Sequence, residues 1–341
     1  MASPAISVNV EQARRMAERF VQLGWQRQDN ARPAREEPPA ASTDHLIDYF
    51  FYTSMLLFDF KNMEHTYPDG TYIKGTDVFI ALCQRAMHRN PDWFTAQNFA
   101  ALSDEDYLRA FSFSDDPSKP DVIRMPERIA VLRDAAKLLL GRYGGKASGM
   151  LAEHPTLRYD PRTGKPGLLD VIRDFRGFDD PLYKKVFVFL KSLDIRDIWK
   201  PADPENVMMP VDYHVIRMAL RNGVVTVHDE VLAQKLREAA PATLEEEQLV
   251  REATLEACHQ MVKFSGLTTY FIDDIYWLVG RSCCHYNRPP RCGACDFSDC
   301  SVQPAMGYTC PGKCPLATHC LGATDEAYKT LLEPAIVTQY Y

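Results

Sequence analysis

MPVDYHVIRMALRNGVV, residues 209–225, contains one helix together with both of its ends. Asp212 offers a side-chain oxygen where the first N–H groups of a helix lack partners, so it marks the N-terminus. Val211, Val215 and Met218 recur at helical spacing and make one apolar face, which Gly223 ends. The proline-rich stretch WKPADPENVMMP (199–210) isolates this helix from what precedes it. Downstream, the periodicity predicts helices over 228–239, 243–264 and 267–282, with Leu249, Ala253, Ala257 and Met261 striping the second. Upstream it predicts helices over 8–24, 45–60, 76–89, 103–111, 125–143, 166–175 and 181–193. Ser103 with Asp106 reads as a capping start, Gly144-Gly145 as a stop, and Pro68-Asp69-Gly70 as a turn. Two-residue alternation is scarce, so the fold class is mainly α.

A chain of 341 residues holds about two domains. The expected division is an N-terminal helix and linker (1–44), an all-α body (45–280) and a cysteine-rich loop with its tail (281–341). At 46% apolar and 25% charged residues the composition is that of a globular protein. No apolar run approaches the roughly 18–20 residues of a membrane span, so no membrane role is expected. The first twenty residues lack a basic segment followed by an apolar one, which predicts no signal peptide and a cytoplasmic location. A net charge of −7 argues against broad coating of nucleic acid and leaves room for a local basic groove.

Ten cysteines are the strongest compositional signal, and eight of them fall within 283–320. Without a secretory leader, such density points to a metal or iron–sulfur site rather than to disulfides. The first run is Cys284-x7-Cys292-x2-Cys295-x4-Cys300, and the second is Cys310-x3-Cys314-x5-Cys320. Four thiolates suit a 4Fe-4S cluster or, alternatively, tetrahedral zinc. Cys83 reads as an ordinary buried thiol on a helix.

The segment GRSCCHYNRPPRCGACDFSDC (280–300) resembles the iron–sulfur loop of endonuclease III-like base-excision glycosylases. Gly280, Arg281, Cys284, Pro290, Arg291, Cys292, Gly293 and Cys295 carry the likeness. The family spacing is C-x6-C-x2-C-x5-C, from which both outer gaps of the first run differ by one. The ending C-P-L-x-x-x-C of the second run is similar to the same loop, which leaves open whether the four ligands come from the first run or from both. Val211, Asp212, His214, Val215 and Arg217 resemble the surroundings of the catalytic aspartate in the helix–hairpin–helix glycosylase superfamily. The resemblance implies a two-lobed helical bundle of that type, with Asp212 as catalytic carboxylate. Breaking an N-glycosidic bond builds positive charge on the sugar, which an ionised carboxylate beside C1′ stabilises while orienting water. Upstream, FRGFDDPLYKKVFVFLKSL (175–193) keeps only Gly177 of the phosphate-gripping hairpin. Lys184 and Lys185 stand near the place where bifunctional relatives carry a nucleophilic amine. Asp179 and Asp180 beside them are expected to hold these lysines protonated, and so to favour water as the nucleophile.

Residues 50–280 are also similar, at low identity, to queuosine salvage N-glycosylases. That likeness runs through Gly75, Arg85-Ala86, 102–111, Ser114-Asp115, Pro126-Glu127-Arg128, Leu132-Arg133 and Tyr143-Gly144-Gly145. It continues through Tyr183-Lys184-Lys185, Asp212-Tyr213, Gly223-Val224 and Glu247…Val250-Arg251. The family has aromatic residues where this chain has Lys61 and Thr76-Asp77, which implies a different base or a different presentation of it. Phe58, Phe60, Asp77, Tyr213, His214 and Arg217 are the expected substrate contacts, with Trp93 and Phe94 as further candidates for a base pocket. Glu127 and Arg128 are expected to form an internal ion pair. Two functions follow as expectations for what is expected to be a monomer. One is a hydrolytic glycosylase removing a modified base from DNA, phage DNA included, to leave an abasic site. The other is salvage of a 7-deazaguanine base from a free modified nucleotide.

Overall fold

The structure, a computed structural model, describes residues 5–27, 38, 40, 42–60, 63–114, 121–296 and 300–341. Most of the 28–43 connection, together with Lys61 and Asp115, lies outside the described residues. The chain is mainly α, as its periodicity indicates, with four short strands among the described residues. It divides into two units, Met1–Arg32 with Met208–Val337 and Pro33–Val207 with Thr338–Tyr341. The boundary therefore falls before residue 208 and not at 280. The reason is that the helix Tyr213–Asn222 packs on Thr269–Ser282 and Leu244–Ser265, which keeps the cysteine loop in one unit with it.

In the first unit, Ile6–Val8 pairs antiparallel with Val225–Val227, with Ser7 opposite Thr226. These strands are too short and too far apart in sequence to announce themselves by alternation. Asn9 then caps the helix Val10–Leu23 by accepting from the Gln12 N–H at 3.0 Å, and Gly24 closes it at φ +58°. The buried side of this helix, Met16 and Phe20 included, packs on Leu244–Ser265. That long helix starts with a reciprocal box between Thr243 and Glu246. Its buried face is rotated from the expected stripe. Leu249 is exposed, and the hidden positions include Glu247, Val250, Arg251, Thr254, Ala257, Cys258 and Met261. Two charged residues that pair with each other occupy places which periodicity reserves for apolar ones.

In the second unit, Thr76–Arg89 and Met125–Arg142 follow the sequence reading closely. Ser103 caps Asp104–Ala110 by accepting from the Asp106 N–H at 3.0 Å. The helix expected over 45–60 stops at Met55, so Phe58 and Phe60 lie on irregular chain. Glu64–Thr66 and Tyr72–Lys74 form a hairpin around the Pro68-Asp69-Gly70 turn. The 166–175 stretch is broken into Leu168–Val171 and the 3-10 turn Ile172–Asp174, and a second such turn, Arg176–Phe178, follows it. The following helix is Lys184–Asp194, and the Asp180 carboxylate accepts from the Leu182 and Lys184 N–H groups ahead of it at 3.1 and 2.8 Å.

Candidate functional site

Asp212 is the N-cap of Tyr213–Asn222, in extended backbone at φ −113°. Its Oδ1 accepts from the N–H of His214 at 2.8 Å and of Val215 at 3.0 Å, which fixes the plane of the carboxylate. The residue is 7% exposed. From the long helix, Arg251 donates to the carbonyl of Val211, immediately before Asp212, at 3.4 Å. The same Arg251 pairs with Glu247 at 3.4 Å, both being buried. Arg251, paired with Glu247, thus holds the extended chain from which the aspartate projects, a role the sequence reading did not give them. The Tyr213 ring lies against the His214 ring at 4.3 Å. Burial, and next the Asp212 charge, push the Tyr213 phenol up, so it stays protonated and able to donate.

Arg217, expected at the substrate, has its guanidinium engaged by groups of the protein itself. It is fully buried, with Nε donating to the Cys284 carbonyl at 2.7 Å and one terminal nitrogen paired with Glu333 at 2.6 Å. The other terminal nitrogen donates to His214 Nδ1 at 2.9 Å and to the Gly280 carbonyl at 3.3 Å. Arginine only donates, so His214 Nδ1 accepts and the neutral ring carries its proton on Nε2. Arg217 is a tie between the Asp212 helix, the cysteine loop and the tail. Its partner Glu333 carried no signal in the sequence. Gly280 in turn admits the close crossing of Tyr213–Asn222, since a Cβ there would meet the His214 Cβ at 3.2 Å.

One helical turn further on, Arg221 does the same for the thiols. It donates to Cys284 Sγ at 3.3 Å and to the His285 carbonyl at 2.8 Å, while its own carbonyl accepts from Cys320 Sγ at 3.4 Å. Arg217 and Arg221 are four residues apart and share a face, a signal that was present in the sequence and not used. All ten cysteines are free thiols. Among the described residues, no three His, Cys, Asp or Glu side chains stand at metal-ligating geometry. The Cys314 thiol is hydrogen-bonded to that of Cys283, and Cys292 and Cys320 feel the charges of Cys284 and Cys314. Burial, and next the neighbouring Cys314 and Cys284, push Cys292 up to about 11. Burial, followed by Cys284, Cys314 and Cys292, also pushes the Cys320 thiol up. Crowded thiols of this kind are costly to ionise together. Cys83 and Cys258 are fully buried, away from this set in sequence and held up by burial.

The second unit brings Lys184, Lys185, Phe58 and Arg128 together. Lys185 Nζ donates to the Met55 carbonyl at 2.8 Å and lies 4.6 Å from the centre of the Phe58 ring. Arg128 covers that ring from 4.1 Å and donates to the carbonyls of Leu56, Phe58 and Ile123. The expected ion pair is therefore not Glu127 with Arg128. Glu127 pairs with Arg124 at 3.3 Å, and Arg128 closes the helix end before Phe58. The direction of shift expected for Lys185 is also reversed. Burial, then the cations Lys184 and Arg128, push its amine well down, outweighing Asp179 and Asp180. Phe58 and Phe60 are core side chains rather than open stacking surfaces, with Phe60 stacked on Phe79 at 4.9 Å. Trp93 and Phe94 both pack on Phe99. Asp77 is a half-buried residue in the first turn of Thr76–Arg89.

No family model matches this chain, and no curated protein matches it.

Proposed function

We propose that this protein is a hydrolytic N-glycosylase of the helix–hairpin–helix type that removes a modified nucleobase from DNA and leaves an abasic site. One observation carries the reading. Asp212 and the cysteine loop, the two motifs that resemble this superfamily, share the single helix Tyr213–Asn222: Asp212 caps its start, and Arg217 and Arg221 on it hold the loop. At 1.5 Å per residue that helix spans roughly 14 Å between Asp212 and Arg221. In this reading the Asp212 carboxylate stabilises the oxocarbenium charge at C1′ and orients the attacking water. Tyr213 supplies a protonated hydroxyl beside it. The cysteine loop holds a 4Fe-4S cluster, or zinc in its place, which when bound secures the loop. Lys185 is a supporting residue rather than a nucleophile, because its amine is given to the Met55 carbonyl under the Phe58 ring.

The net charge of −7 favours a second reading, in which the substrate is a free modified nucleotide rather than a polyanionic duplex. One assay separates the two. The protein is incubated with DNAs carrying different modified bases and with the corresponding nucleotides, and the released base is identified by mass spectrometry. Alkali then cuts any abasic DNA. Release from DNA supports the first reading, release from nucleotides alone supports the second, and release from neither refutes both.

A further inference from the structure

We infer that Cys283 and Cys314 form a redox dithiol, a pair that closes to a reversible disulfide when a small-molecule disulfide of the glutathione type reaches the cysteine loop. Cys283 is the one clustered cysteine that the ligand reading of the sequence left without a role. It follows the helix Thr269–Ser282 directly, and its N–H donates to the Val279 carbonyl at 2.8 Å. Cys314 comes from the second cysteine run, and its thiol is hydrogen-bonded to that of Cys283. Arg291 ties the two backbones together. Its N–H donates to the Cys283 carbonyl at 2.7 Å, and its carbonyl accepts from the Cys314 N–H at 3.1 Å. Neighbouring thiols are engaged differently. Cys310 and Cys320 donate to the carbonyls of Lys313 and Arg221, each at 3.4 Å, and Cys284 accepts from the Arg221 guanidinium at 3.3 Å. At Cys283 and Cys314, thiol meets thiol.

The two sulfurs differ in their surroundings, and this sets the order of the steps. Cys283 is buried and Cys314 half-buried, so an incoming disulfide meets Cys314 first. The Leu316 and Ala317 N–H groups are directed at the Cys314 sulfur and favour its thiolate. At rest the bond to Cys283, and next burial, outweigh them and push the Cys314 thiol up, which keeps the attack slow at neutral pH. Once Cys314 has lost its proton to solvent, the thiolate attacks one sulfur of the small disulfide and expels the other, which takes up a proton. Cys283, deprotonated in turn, attacks the Cys314 sulfur of the mixed disulfide and expels the second small thiol. Two protein thiols and one small disulfide give one protein disulfide and two small thiols, with two electrons passing to the small molecule. Closure draws the sulfurs to about 2 Å and makes 284–313 a covalently closed loop. In the oxidised state Cys314 is withdrawn from any metal. No oxidising compartment is required, because intracellular disulfides of this kind are transient and redox-sensing.

The test starts from the full chain, purified anaerobically and incubated with glutathione disulfide in mildly alkaline buffer. Remaining thiols are alkylated under denaturing conditions and linked peptides are mapped by mass spectrometry, with fragmentation to separate Cys283 from the adjacent Cys284. The ten thiols should fall by two, with the Cys283 and Cys314 peptides joined, and dithiothreitol should restore all ten. Cys283→Ser should stop at the mixed disulfide and retain one glutathione on Cys314. Cys314→Ser should take up none at Cys283. A wild-type chain that keeps its ten thiols, or whose new disulfide joins other cysteines, overturns the pair. Glutathione found on Cys283 in Cys314→Ser overturns the order of attack. The wild-type map decides the pairing even if a variant fails to fold.

Discussion

At the scale of single residues, Asp212 and Asp48 are buried carboxylates with opposite consequences. Asp212 accepts two backbone N–H groups through one oxygen, which asparagine can also do. Asp212→Asn therefore removes charge while keeping the cap. Base release should fall on the order of 10²-fold or more, with the urea midpoint nearly unchanged. A folded variant with wild-type turnover would remove Asp212 from the chemistry. Asp48 lies on Thr43–Met55 and accepts from the Ala147 N–H at 2.8 Å, and its burial pushes the carboxyl up to about 7. The raised value means the native state keeps this proton after the unfolded chain has released it. The stability from that proton is fully present below the ordinary aspartate range and is lost as pH rises through about 7. Asparagine cannot ionise, so Asp48→Asn should gain on the wild type between pH 5 and pH 8 in urea unfolding. A wild-type-to-variant gap that stays constant with pH would contradict this. Lys185 yields a third expectation. A depressed lysine favours Schiff-base chemistry in general, yet this amine is buried and bonded to the Met55 carbonyl. Borohydride should trap no enzyme–DNA adduct. An adduct that disappears in Lys185→Met would make the protein a glycosylase with lyase activity.

At the scale of elements, helix ends were more legible than helix faces. Ser103, Asp212 and Gly223 each acted as local chemistry dictates, because a cap depends on its nearest neighbours in sequence. The face of Leu244–Ser265 was not legible, since the Glu247–Arg251 pair is satisfied inside and periodicity counts both as surface. The candidate site shows the same split. Asp212 was readable from its own segment, whereas Arg217 finds its partner in Glu333, 116 residues later. Gly223 makes the sharpest test at this scale. It has φ +77°, and a Cβ there would come within 2.3 Å of Leu321 Cδ1. Gly223→Ala should cost roughly 1–3 kcal/mol, from the left-handed backbone and the overpacking together. It should also lower metal retention, because Leu321 follows Cys320 directly. Equal thermal stability in Gly223→Ala would show that the tail after Cys320 moves aside without cost.

For the whole molecule, the eight clustered thiols and Asp212 all belong to the Met208–Val337 part of one unit. No helix among the described residues is long and apolar enough to cross a membrane. Trp25 and Trp277 report on the first unit, and Trp93 and Trp199 on the second. Stripping metal with a chelator should lower the unfolding midpoint seen by the first pair and leave that of the second pair in place. Trp→Phe variants that keep one pair at a time make the measurement separable. Equal shifts in both would mean that the two units unfold as one.

The pairing of Ile6–Val8 with Val225–Val227 has a consequence for the order of events on the ribosome. The unit that contains the first helix ends at Val337, while nearly all of the other unit has been made by residue 207. At about 5–20 residues per second, the Val10–Leu23 helix waits roughly 15–60 s between its own synthesis and the arrival of its last partners. Until Leu244–Ser265 has been made, Met16 and Phe20 lack the helix they pack on. Residues 33–207 of the one unit are therefore made before most of the other, and the unit carrying Asp212 and the thiols gathers its last partners around the Val10–Leu23 helix only once residue 337 has been made.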